Sequence, residues 1–119
     1  MIGILFGGGQ TVAEYMFIES QDLFDGGASR STLELCQNLA KSGNKVELVF
    51  VQNAVLGLRA PAFTTLLAEI AGTGVEFHAD LVSLQARGIQ GSEIPKFVKT
   101  GDLDRVITNL AAGKKVIWH

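Results

Sequence analysis

Val46-Glu47-Leu48-Val49-Phe50-Val51 decides the fold. The run is apolar at every position but one, with no alternation to mark a solvent-facing side. Such a run fits a central strand of a parallel sheet, covered by helices on both faces. Working outward, Gly43 lies just upstream, where a helix from about Ser31 to Ser42 should stop. Ser31 and Glu34 have the spacing of a capping box at that helix's start. Downstream, Pro61 to Ala71 reads as a second helix. Proline stands at its first position, and Phe63, Leu66, Leu67 and Ile70 recur at helical spacing. A third helix is expected from an Asp102 cap to Gly113, carrying Leu103, Val106, Ile107 and Leu110 on one face.

Strand-like runs alternate with these helices. They are Tyr15-Met16-Phe17-Ile18, Val75-Glu76-Phe77-His78 and Lys115-Val116-Ile117-Trp118. Lys96-Phe97-Val98 reads as a short extra strand, and Leu81 to Arg87 as a helical turn. The alternation implies an α/β fold with a mostly parallel sheet between helices. Residues 13–119 then form one domain, and residues 1–12, ending in Gly7-Gly8-Gly9-Gln10-Thr11-Val12, form an N-terminal extension.

Composition narrows the function. The chain has 119 residues, 47% of them hydrophobic and 18% charged, enough for one core without staples. The net charge is −2 with no basic run, so no nucleic-acid partner is expected. No apolar stretch approaches the roughly 18 residues of a membrane span, so no membrane role is expected either. One cysteine, Cys36, rules out an internal disulfide and suits a cytoplasmic protein. With one cysteine and two histidines, His78 and His119, no Cys-rich or all-His metal site is expected, and no cofactor. Gly7-Gly8-Gly9 lacks the spacing of a phosphate loop, and no nucleophile elbow is present.

In open α/β sheets ligands bind beyond the carboxyl ends of the strands. This sequence places Glu19-Ser20-Gln21-Asp22, Gln52-Asn53, Asp80, Ser83, Arg87-Gly88 and His119 there. Six of these are expected to hold a ligand: Asp22, Gln52, Asn53, Ser83, Arg87 and His119. Each also has a plainer role. Asp22, with Asp25, suits a turn cap; Gln52 and Asn53 can satisfy loop backbone; Arg87 can make a surface ion pair. His119 can be a frayed end, and His78 a packed or interface histidine. Cys36 falls mid-helix on an apolar face and reads as a buried thiol.

Leu84-Gln85-Ala86-Arg87-Gly88-Ile89 follows Gly74-Val75-Glu76-Phe77, and the chain closes on Lys115-Val116-Ile117-Trp118. With Gly43-Asn44-Lys45-Val46-Glu47-Leu48-Val49-Phe50, this order resembles the DsrE/DsrF/TusD-like family of sulfur-relay proteins over residues 13 to 119. The resemblance implies a three-layer α/β/α sandwich of about five strands. It also implies a homo-oligomer, trimer or hexamer, or a hetero-oligomer with related subunits. Sulfur-carrying members hold a cysteine just before the Arg-Gly, where this chain has Ser83. A serine hydroxyl cannot carry a persulfide. The expectation is therefore a protein that binds a small anionic or sulfur-containing ligand, or a partner protein, at the sheet edge. The alternatives are a persulfide carrier using Cys36 or a partner's cysteine, and a purely structural subunit. Whether the chain is an enzyme stays open at this level.

Overall fold

The structure, a computed structural model, describes residues 13–23 and 27–119. The extension expected at residues 1–12 lies outside them. The strands are β1 (Glu14–Glu19), β2 (Lys45–Phe50), β3 (Glu76–Asp80), β4 (Val98–Gly101) and β5 (Lys115–Trp118). The helices are α1 (Gly27–Lys41), α2 (Pro61–Ala71), α3 (Leu81–Ala86) and α4 (Asp104–Ala111). All five strands pair in parallel, in the order β4-β3-β2-β1-β5. The apolar run thus becomes the middle strand, as its pattern demands.

Register sorts each strand's residues between two faces. Phe17, Leu48, Phe50, Phe77 and Ala79 face one side and pack with Leu33 and Cys36 of α1, Leu67 and Ile70 of α2 and Leu84 of α3. Phe50 and Phe77 stack there with centroids 5.8 Å apart. Burying each large ring contributes about 2–3 kcal/mol. The other face is thinner. Met16, Ile18, Val49 and Val51 pack with Val106 of the short α4 and the partly buried Val116, and Asn109 of α4 donates to the Met16 sulfur. Around this thin cover Leu103, Ile107, Leu110 and Trp118 stay exposed.

Several boundaries differ from the sequence reading. α1 begins at Gly27, four residues before Ser31, so Ser31 and Glu34 lie inside the helix rather than capping it. The extra strand forms at Val98–Gly101, after Lys96 and Phe97. α4 begins at Asp104, with Asp102 one residue outside the cap, where its Oδ1 accepts the Asp104 N–H at 3.0 Å. The stretch Gln52–Arg59, unassigned from sequence, is a 3-10 run with Ala54, Val55, Gly57 and Leu58 buried. At Gly57 a Cβ would stand 2.7 Å from Leu23 Cδ1, so any larger residue would push the Leu23 side chain aside. That close approach fastens the loop after β2 to the turn after β1.

Candidate functional site

The carboxyl ends of β5, β1, β2 and β3 form one polar edge. Its first half is built on β3. Asp80 ends that strand and caps α3, its Oδ2 accepting the Ser83 N–H at 2.9 Å and the Ser83 hydroxyl at 2.6 Å. Ser83 Oγ in turn accepts the Gln52 N–H at 2.8 Å. Gln52 has φ +51, a left-handed conformation unusual for a residue with a side chain. Arg87 lies over the same corner. Its Nε and Nη2 donate to Asn53 Oδ1 at 3.3 and 3.0 Å, and its Nη1 donates to the Ser83 carbonyl at 3.2 Å. A guanidinium has five N–H donors, so a fixed cation with donors to spare stands at the rim.

The second half joins β1 to β5. Glu19 is 1% exposed. Its carboxylate meets His119 Nδ1 at 2.8 and 2.9 Å and accepts the Gln21 N–H at 3.1 Å. His119 is not frayed, which corrects that reading. Its N–H donates to the Ile18 carbonyl at 2.7 Å, and its own carbonyl accepts from both the N–H and the hydroxyl of Ser20 at 2.9 Å. Sheet pairing therefore continues past the last strand residue and fixes the ring. With a proton held on Nδ1 by the carboxylate, Nε2 of the neutral ring is an acceptor.

The halves are joined through β2, where the Val51 N–H donates to the Glu19 carbonyl at 2.9 Å. One hydrogen-bonded line thus runs from His119 through Glu19, Val51 and Gln52 to Ser83 and Asp80. Gln52, Asn53, Ser83 and Arg87 come together as expected. His119 stands in the other half, and Asp22 lies partly buried in the turn after β1. The two carboxylates that organise the edge, Glu19 and Asp80, belong to the strand-end set but not to the six expected ligand residues. Their signal was position, directly at the end of an apolar strand.

Two nucleophile candidates can be judged from this geometry. Ser83 Oγ spends its proton on a carboxylate and accepts an amide, which suits a structural hydroxyl. Cys36 is completely buried on α1. Burial first, and the nearby Glu19 charge second, push its thiol up to about 12. It is a thiol, not a thiolate, at neutral pH.

Solved structures share this architecture. The protein of unknown function MTH1491 from Methanobacterium thermoautotrophicum aligns with a TM-score of 0.77 at 19% identity, over 92% of this chain and 100% of its own. The ychN protein from E. coli gives 0.80 at 17% identity, over 91% and 100%. BT1422 from Bacteroides thetaiotaomicron, a conserved protein of unknown function, gives 0.76 at 14%, over 89% and 94%. These likenesses establish the fold. No curated protein matches the chain. The DsrE/DsrF-like family matches residues 13–119, the whole span of the sheet and its helices, and the chain belongs to that family.

Proposed function

We propose that this protein binds a small anionic or sulfur-containing ligand at the carboxyl edge of its sheet and does not itself carry sulfur. The observation that carries this reading is the state of Ser83. It stands where sulfur-carrying relatives would hold a cysteine, and its hydroxyl donates to Asp80 and accepts the Gln52 N–H within the protein. Beside it Arg87 supplies positive charge, oriented by Asn53. The persulfide-carrier alternative would use Cys36, whose burial and raised pKa oppose it, or a partner's cysteine.

The test is calorimetric titration with thiosulfate, sulfite and inorganic phosphate. Saturable binding of one of these, weakened roughly tenfold or more by Arg87→Ala and by Asn53→Ala, supports the reading. Binding unchanged in both variants defeats it. A cyanide-sensitive sulfur adduct on Cys36 of the folded protein after polysulfide treatment would favour the carrier instead.

A second reading concerns assembly. Leu103 just before α4, Ile107 and Leu110 on α4 and Trp118 on β5 are all exposed around the thinly covered face. Apolar exposure of this kind suits burial between copies of the chain. Light scattering should then report a trimer or hexamer, and a stable monomer at micromolar concentration would overturn it.

A further inference from the structure

On the thin face, under α4, three metal-ligating side chains converge far from the strand ends. Glu47 of β2 pairs in register with Glu76 of β3, and His78 follows two residues later on the same face. Their ligand atoms all lie within 4.8 Å of one another. His78 Nε2 is 3.1 Å from Glu47 Oε1 and 4.0 Å from Glu76 Oε1. Atoms bound to one cation at about 2.1 Å are about 3–4 Å apart, so the spacing suits a common centre.

The second observation is the state of His78. Its side chain is 5% exposed, yet Nε2 has no hydrogen-bond partner among the described residues. The nearest carboxylate oxygen is close enough, but the ring nitrogen is not aligned to share a proton with it. A buried polar nitrogen without a partner is unfavourable, because it has given up its water and gained nothing in return. Two ligand atoms that are close but not aimed at each other are what a shared cation would require.

Three cations surround the group. Arg105 Nη2 bonds Glu47 Oε1, Lys99 Nζ lies 3.4 Å from Glu76 Oε1, and Lys114 Nζ lies 3.2 Å from Glu47 Oε2. Arg105 and Lys99 occupy the very oxygens that face His78, and neither satisfies Nε2. Both are on exposed side chains, at 41% and 67%, and can swing out. Lys114 holds the far oxygen of Glu47 and can remain.

We propose that Glu47, Glu76 and His78 form a binding site for a divalent transition-metal cation, which displaces Arg105 and Lys99. Two carboxylate oxygens and one imidazole nitrogen suit zinc, manganese or ferrous iron. Three protein ligands leave a position for solvent on the side of the half-exposed Glu76. No spacing along the sequence marks the site, because register between β2 and β3 brings its ligands together. The site is independent of the ligand edge proposed above.

The experiment is zinc titration of the chelator-stripped full chain, read by calorimetry, with cobalt absorption as a second probe. The expected result is one zinc per chain. Glu76→Gln and His78→Ala should each weaken binding by roughly tenfold or more, and Arg105→Gln should tighten it severalfold. Glu76 is at the surface, so its variant reports on binding without endangering the fold. Absence of saturable uptake by both the wild type and Arg105→Gln would overturn the proposal. So would uptake that survives Glu76→Gln and His78→Ala.

Discussion

His119 Nδ1 rests 2.8 Å from Oε1 of Glu19, a residue one hundred positions away in the chain. The pair closes β5 onto β1 and gives a deeply buried carboxylate its side-chain partner. Removing the imidazole leaves that charge with the Gln21 N–H alone among its described bonds. His119→Ala should therefore cost about 2 kcal/mol. Glu19→Gln in the same background should recover part of the loss. Urea unfolding of the two single variants and the double variant gives the coupling, and additive effects would show that the pair contributes nothing.

Cys36 makes a kinetic prediction. With its pKa at about 12, the thiolate fraction near pH 8 is roughly one part in ten thousand. Burial blocks the reagent as well. Labelling by an aromatic disulfide should proceed at the rate of protein opening, and should be complete within seconds to minutes in strong denaturant. Cys36→Ala should cost about 1–2 kcal/mol, the cost of a small buried cavity. Rapid native labelling would mean that α1 opens readily.

Acid should weaken the fold in two stages, because two groups under α4 titrate abnormally. Burial, with the Arg105 charge behind it, holds His78 below its ordinary value of 6.5. The unfolded chain then binds this proton first, so the contribution is complete above 6.5 and lost as pH falls from there toward the native value. For Glu47, burial alone would raise the pKa, but hydrogen bonds from Arg105 and Lys114 prevail and lower it below 4.5. Its contribution is complete above 4.5 and lost as pH falls through the lowered value. Urea midpoints measured with chelator present should fall in both windows. His78→Gln should flatten the first decline and leave the second.

The sheet was readable because its middle strands are apolar on both sides and its helices carry proline, glycine and heptad-like spacing at their ends. Pro61 and Ala71 bound α2 as read. Gly43 at φ +91 and Gly113 at φ +78 close α1 and α4 as read. The Ser31–Glu34 pair misled because the same spacing also occurs within a helix, and tertiary packing carried α1 four residues further back. At the edge, Gln52, Asn53, Ser83 and Arg87 come together because each follows an apolar strand. The Glu19–His119 contact was not readable, since it depends on β5 lying beside β1, and strand order leaves no local mark. The Glu47–His78 contact was hidden in the same way, by register between β2 and β3.

Gln52 supplies the last prediction. Its φ of +51 is imposed from two sides. Val51 before it is tied to Glu19, and its own N–H is tied to Ser83. A left-handed conformation costs a residue with a side chain about 1–2 kcal/mol, and glycine escapes this at some cost in chain entropy. Gln52→Gly should raise stability by about 0.5–1 kcal/mol, and the β-branched Gln52→Val should lower it by about 1–2 kcal/mol. The Gln52 side chain is exposed at the carboxyl edge of the sheet. Strain of this kind persists where the side chain has a use in the site. Gln52→Gly should therefore be more stable than the wild type yet bind the edge ligand more weakly, seen by pairing urea unfolding with anion titration. A variant that is more stable with binding intact would leave Gln52 as a turn residue alone.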